Sequence, residues 1–390
     1  MTLSALLLSL LLQDGPLISS FDDIKIRDGD ANAHSEVVEG KAGKAVKFSF
    51  AAGKSSFCMT PLRGAPEWDN AAGFSFWVKG DGSKNFGGLQ LIWNEDYAAR
   101  YDYMFPIDST EWRKITVAWR DLVPAMPPAS AKFVDVKTGN APSKFTSLWV
   151  GKWWYWRDYA AHSYALDEFR LEPKIALDAN LYVPAGAPLA RVQAKLKAGK
   201  PITIVTMGDS LTDTHHWANR EINWPGLLTK KLQDRKIDVK IVNPAIGGTE
   251  LRQNLVLIPR WLAEAPEPDL VTVCFGGNDW NSGMRGPMFQ ESCREAVDRI
   301  RRATKGKADV LLMTTVPSLE MWKTRDELGE AVRAAAKERN AGLADVEKLF
   351  HATPQDQHEK LFCTDKVHMG APGHEVLAAA VLAAIESGGK

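Results

Sequence analysis

Four short segments of this 390-residue chain hold the residue types that nucleophilic chemistry needs. Gly208-Asp209-Ser210-Leu211-Thr212-Asp213 places a serine after a glycine that lets the chain turn tightly. Asn243-Pro244-Ala245-Ile246-Gly247-Gly248-Thr249 offers a glycine backbone that a ligand can approach closely, and Gly276-Gly277-Asn278-Asp279 offers an amide side chain. Asp365-Lys366-Val367-His368 sets a carboxylate and an imidazole three residues apart. A serine hydroxyl is a poor nucleophile until a neutral histidine takes its proton. A carboxylate on the other ring nitrogen holds the imidazole and stabilises the imidazolium. Preorganised N–H donors stabilise the charge of a tetrahedral intermediate. Each segment alone has a plainer explanation: glycine pairs make turns, Asn-Asp pairs cap helices, and an isolated Asp-x-x-His usually sits on the surface. Their order and placement distinguish them.

The elements around them supply that placement. From Pro201 onward, apolar runs alternate with helical segments. Ile202–Met207, Val239–Val242, Leu270–Phe275 and Val310–Thr314 have the composition of buried parallel strands. Pro225–Arg235, Leu251–Ala263, Met288–Thr304 and Asp326–Asn340 are predicted helices, and a last helix runs from about Pro372 to Glu386. This order predicts a parallel sheet with helices on both faces. Ligands of such sheets bind outside the carboxyl ends of the strands. Three of the four segments follow predicted strands, and the fourth stands just before the last helix.

In this order the four segments resemble blocks I, II, III and V of the SGNH (GDSL-type) hydrolases, over about Pro201 to Gly388. The resemblance implies a flavodoxin-like α/β domain and ester hydrolysis through an acyl-enzyme. It implies Ser210 as nucleophile, His368 as its base and Asp365 as the carboxylate behind the histidine. It implies oxyanion donors from the backbone N–H of Ser210, the backbone N–H of Gly248 and the side chain of Asn278, with Gly247 as the alternative to Gly248. No metal or organic cofactor is required for that chemistry. Asp209 is expected to fix the turn, His215 and His216 to lie at the rim, and His374 to be structural within the last helix. Trp217 and Trp280, close in sequence to Ser210 and Asn278, are candidates for a substrate-pocket wall or for packing.

The chain before this region is of another character. From about Pro16 to Pro173, short alternating segments such as Ala45–Phe50, Phe74–Val78, Leu89–Trp93 and Lys114–Trp119 are predicted β-strands, separated by glycine, proline and asparagine. Many such strands imply a sandwich or jelly roll. Nine of the fourteen tryptophans lie here, so stacking on sugar rings competes with core packing as their use. In the run Trp153-Trp154-Tyr155-Trp156, alternation along a strand would expose some rings, making Trp153, Trp154 and Trp156 candidate sugar contacts. Phe21-Asp22-Asp23, Phe76 to Ser83, the Phe105-Pro106 to Lys114 stretch and Ala165 to Leu171 resemble jelly-roll domains of the family 11 carbohydrate-binding module and CIA30 type. Such modules sometimes hold structural calcium, and the aspartates at both ends leave room for one here.

The sequence therefore predicts residues 1–15 as a signal peptide, 16–175 as a β-sandwich, 176–200 as a linker and 201–388 as a hydrolase domain. The run Leu3 to Leu12 is too short to span a bilayer, which needs about twenty residues. Its length suits a signal-peptide core, although no lysine or arginine precedes it and no A-x-A site follows. A secreted or periplasmic location follows from that reading. Lysine plus arginine equals aspartate plus glutamate at 48 each, which argues against nucleic acid or anionic lipid as partner. Cys58, Cys274, Cys293 and Cys363 show no CxxC spacing. Cys274 is expected in the core, and a disulfide among the other three is left open. The expected substrate is an O-acylated carbohydrate, an acetyl ester foremost. The rivals are a general short-acyl esterase, lipase or thioesterase with a purely structural first domain, and an inactive carbohydrate-binding protein. The sequence does not give the oligomeric state.

Overall fold

The computed structural model of the chain describes residues 15–125, 132–157 and 160–389. The N-terminal apolar run, with its signal-peptide expectation, lies outside the described residues.

Two antiparallel sheets form the first half. Its strands are β1 (Leu17–Ser19), β2 (Arg27–Asp28), β3 (Ala33–Glu39), β4 (Lys44–Phe50), β5 (Ser56–Thr60), β6 (Gly73–Gly80), β7 (Phe86–Trp93), β8 (Asp96–Pro106), β9 (Arg113–Ala118), β10 (Phe145–Lys152) and β11 (His162–Glu172). One sheet has the order β3-β4-β11-β6-β9 with β1 on β11, and the other β2-β5-β10-β7-β8. Alternate residues point inward from each. Phe48, Phe74, Phe76 and Phe169 from the first sheet meet Leu91, Tyr101, Phe105 and Leu148 from the second in one core. This is a β-sandwich.

The second sheet is buried on its outer face as well. Six consecutive residues of β7, Gly87 to Ile92, are buried, which alternation with solvent would forbid. Met104, Trp153, Tyr155 and Trp156 join the core of the second half, with Phe57, Phe86 and Trp149 packed against it. The run 154–156 is a single helical turn rather than a strand. Trp153 and Trp156 are each only 4% exposed, while Trp154 is 42% exposed. Two of the three candidate sugar contacts are therefore packing residues. Burial of the sheet face under the helices of the second half, invisible in the sequence, is the reason.

The second half has helices α1 (Ala190–Lys197), α2 (Trp224–Gln233), α3 (Leu251–Val256), α4 (Ile258–Glu264), α5 (Gly277–Asn281), α6 (Gly286–Ala303), α7 (Asp326–Arg339), α8 (Val346–His351) and α9 (Ala371–Ser387). Its strands are β12 (Ile202–Gly208), β13 (Val239–Val242), β14 (Leu270–Cys274), β15 (Asp309–Met313) and β16 (Gly342–Ala344). All pair in parallel, in the order β13-β12-β14-β15-β16. That is the flavodoxin-like order. Strand residues alternate between two cores. Val205, Met207, Val271, Val273, Val310 and Leu312 face the side that also holds residues of α3, α4, α6 and α7. Ile202, Ile204, Leu270, Cys274, Leu311 and Met313 face the side with α1, α2 and α9. The predicted helix Leu251–Ala263 is broken into α3 and α4 at Leu257, with Pro259 in the first turn of α4. Proline is tolerated there because its missing N–H is unpaired in any helix start. All four cysteines are free thiols. No helix among the described residues is long and apolar enough to cross a membrane.

Candidate active site

The carboxyl ends of β12, β13 and β14 and the loop before α9 converge. At the end of β12, a Cβ on Gly208 would lie 2.3 Å from Thr212 Oγ1, so only glycine permits this turn. Asp209 is buried; its side chain accepts from Leu211 N (2.9 Å) and its carbonyl from Thr212 N and Asp213 N. Burial pushes its carboxyl up to about 6. Asp209 thus fixes the turn that presents Ser210. Asn219 holds the same turn from outside, donating to the carbonyls of Ser210 (2.6 Å) and Asp213 (2.7 Å).

The loop 362–369 is a narrow hairpin, pinned by an antiparallel bridge between Phe362 and Met369 and by Cys363 N donating to the His368 carbonyl. Lys366, at φ +62°, makes its bend. Asp365 Oδ1 accepts the N–H groups of Val367 (3.1 Å) and His368 (3.0 Å), which leaves Oδ2 to face the ring. His368 Nδ1 lies 2.5 Å from Asp365 Oδ2, and Nε2 lies 2.9 Å from Ser210 Oγ. Burial raises the Asp365 carboxyl, but hydrogen bonds from His368 and Val367 outweigh it and hold the group below its ordinary value. One imidazole therefore bridges a carboxylate and a serine hydroxyl across 158 residues of sequence.

The glycine loop after β13 borders the serine: a Cβ built on Gly247 would stand 3.5 Å from Ser210 Cβ. Gly247 N–H donates to Asp213 Oδ2 at 3.0 Å, so it is already engaged. The N–H groups of Ser210 and Gly248 have no acceptor among the described residues. Gly248 has φ +79°, the left-handed region that favours glycine. Asn278 gives one amide hydrogen to the Thr249 carbonyl at 2.9 Å, which leaves the other for a ligand. Asp279 Oδ1 accepts Leu251 N at 3.0 Å and ties the third loop to the start of α3.

The remaining predicted residues are placed as follows. His216 stacks on His368 with centroids 4.3 Å apart, and Trp217, 54% exposed, meets the His368 ring at 5.6 Å. His215 is largely exposed beside Asp213. Trp280 is half-buried, with the Arg285 guanidinium 3.8 Å from its ring centroid. His374 is fully buried in α9. Sequence reasoning missed Asn219, for which no motif signal exists, and gave no role to Asp213, although it stands in the quoted serine segment. It also missed Arg157, which reaches from the first half to Asp213.

Carboxylates from the two ends of the sandwich hold one loop, residues 41–44. Asp22 Oδ1 accepts Lys44 N, and Asp167 Oδ2 accepts Lys41 N and Ala42 N. Asp167 Oδ1 is buried without a hydrogen-bond partner. Two carboxylates, each already accepting backbone N–H groups, fall short of the about six to eight oxygen ligands of calcium. Asp326, Glu347 and His351 also approach one another. There Glu347 is held by Arg333 (2.6 Å), and His351 Nε2 faces the Trp322 carbonyl (2.8 Å), so the group is part of a polar network.

Residues 206–376 match the GDSL-like lipase/acylhydrolase family. The chain is 30% identical over 115 residues to esterase TesA of Pseudomonas aeruginosa, a match covering 30% of this chain and 55% of that protein. It is 27% identical over 164 residues to an acetylxylan esterase of Geobacillus stearothermophilus, covering 38% of this chain and 72% of the relative. Among solved structures, a lipase/acylhydrolase from Enterococcus faecalis aligns at 18% identity and a TM-score of 0.40, covering 48% of this chain and 96% of that one. The match to the GDSL-like lipase/acylhydrolase family, over residues 206–376, thus spans Ser210, Gly248, Asn278 and the Asp365–His368 loop.

Proposed function

We propose that the chain is a serine esterase that removes acyl groups, chiefly acetyl, from carbohydrate. The observation that carries the hydrolytic part is His368, within hydrogen-bonding distance of both Ser210 Oγ and Asp365 Oδ2. In this mechanism the Ser210 proton passes to His368 Nε2 as Oγ attacks the ester carbonyl carbon. Asp365 accepts from Nδ1–H and stabilises the imidazolium. The carbonyl oxygen, now an anion, lies against the N–H groups of Ser210 and Gly248 and the Asn278 amide. The intermediate collapses when the C–O bond breaks and the leaving alkoxide takes the proton from Nε2. Water then attacks the acyl-serine with His368 as base, releasing a carboxylic acid and restoring the serine hydroxyl. All the groups in this sequence belong to the protein, and it needs no cofactor.

Support for carbohydrate comes from the relative named acetylxylan esterase and from the exposed Trp217 ring at the edge of His368. The proposal keeps the jelly-roll kinship of residues 16–175, a linker at 176–200 and a hydrolase domain at 201–388. A secreted or periplasmic location, resting on Leu3 to Leu12, belongs to it as well. One observation favours a second reading, a general short-acyl esterase with a structural first half: Trp153 and Trp156 are buried and the outer face of their sheet is covered. Acetate released from acetylated xylan and other acetylated glycans, measured beside nitrophenyl esters of rising chain length, separates the two. Turnover of glycans supports the first reading. Turnover of the small esters alone supports the second.

A further inference from the structure

We propose that Arg157, contributed by the sandwich half, is a positioning residue for the oxyanion-binding loop of the hydrolase half. The proposal rests on the serine-esterase reading above. Arg157 follows the turn Trp154–Trp156 and sits at φ +59°, a left-handed backbone that a residue other than glycine seldom adopts. Its guanidinium donates to both carboxylate oxygens of Asp213, from Nη1 to Oδ1 at 3.0 Å and from Nη2 to Oδ2. Nη1 also reaches the Ala245 carbonyl at 3.4 Å. Asp213 in turn accepts Gly247 N at Oδ2. The loop 245–247 is thereby held at two points by one arginine, directly at Ala245 and through Asp213 at Gly247.

That loop borders the nucleophile. A Cβ built on Gly247 would stand 3.5 Å from Ser210 Cβ and 3.6 Å from Asp213 Oδ2. The next residue is Gly248, whose N–H is proposed to face the oxyanion. The Asp213 side chain is completely buried, so its carboxylate needs a partner. Without Arg157, that buried charge would be left to the N–H groups of His215 (2.9 Å) and Gly247 (3.0 Å), with no guanidinium to neutralise it, beside the place where the substrate oxygen becomes an anion. A planar, bidentate guanidinium both fixes the loop and neutralises that charge, which a lysine does only in part. The sandwich half thus completes the active site rather than acting as a detachable binding module.

The test uses the full chain with Arg157→Ala, Arg157→Lys, Asp213→Asn and the Arg157→Ala/Asp213→Asn double variant. Arg299→Ala is the control: it removes another contact between the halves, to the carbonyls of Asp121 and Leu122, and touches none of the strand-end loops. The readouts are kcat and KM on nitrophenyl acetate, thermal melting, and hydrogen exchange of the peptide covering 243–250. Arg157→Ala should lower kcat about 100-fold, the scale of one lost oxyanion donor, with KM changed less than about threefold. Arg157→Lys should recover part of the loss. The double variant should be about tenfold more active than Arg157→Ala, because the buried charge is gone. Exchange at 243–250 should quicken in Arg157→Ala and not in Arg299→Ala. Wild-type kcat and exchange in folded Arg157→Ala would overturn the proposal, as would an equal loss of kcat in Arg299→Ala. If Arg157→Ala does not fold, the double variant and Arg157→Lys decide: wild-type kcat in both overturns the proposal. If the wild type hydrolyses no ester, the esterase reading falls, and the exchange comparison still decides whether Arg157 holds the loop.

Discussion

The His216 imidazole lies against that of His368, with ring centroids 4.3 Å apart and planes 28° apart. Burial, and then the proximity of His368, hold His216 below the ordinary imidazole range. An uncharged ring is what a proposed general base requires beside it, since a cation there would oppose formation of the imidazolium. His216→Phe should therefore keep the acid limb of the pH–rate profile in place. His216→Lys should move that limb down by about one pH unit, as a like charge at this range does. An unmoved limb in His216→Lys would show that this neighbour does not act on the base.

Asn278 carries the second prediction. Asn278→Ala removes one proposed oxyanion donor and should lower kcat by about 10²- to 10³-fold, with little change in KM. Steady-state kinetics on nitrophenyl acetate measure both. A rise in KM at constant kcat would mean that Asn278 binds the ground state instead.

Asp279 yields a prediction about stability. Burial raises its carboxyl from 3.8 to about 8 in the folded chain, with the nearby Glu250 charge acting in the same direction. The folded state thus keeps a proton that the unfolded chain releases near 3.8. Its stabilising share is fully present below that value and is lost as pH rises toward about 8. Asp279→Asn does not titrate there. The variant should gain stability relative to the wild type between about pH 5 and about pH 8, read from urea unfolding at each pH. Parallel curves would contradict a protonated Asp279.

Much of the fold was legible because buried strands and helix periods are written locally. Strand Val239–Val242 falls where its apolar run ends, and the last helix, Ala371–Ser387, lies within a residue of the expected Pro372 to Glu386. Strand β16 was missed because three residues, Gly342 to Ala344, are too few to show a period. The segments around Ser210, Gly248, Asn278 and Asp365–His368 were legible because a strand-end loop keeps its residues together in sequence. Asn219 and Arg157 were not, since each acts through a contact formed only by folding. The tryptophan run misled for the same reason: one turn, Trp154–Trp156, replaces the strand, and the helices of the other half cover Trp153 and Trp156.

That difference is measurable. Trp156→Ala and Trp153→Ala should each cost about 3–5 kcal/mol in chemical unfolding, the scale for a buried aromatic. Trp154→Ala should stay within about 0.5 kcal/mol of the wild type, as an exposed position does. A large loss in Trp154→Ala, or none in Trp156→Ala, would contradict the packing described here.

The central claim is that Ser210 is the nucleophile, and the most direct test is nitrophenol release from nitrophenyl acetate by the wild type and by Ser210→Ala. Circular dichroism should show both folded alike. Ser210→Ala should lose activity by a factor on the order of 10⁴ to 10⁶, the scale on which removing the nucleophile disables such a triad. Turnover by folded Ser210→Ala at the wild-type rate would contradict the claim.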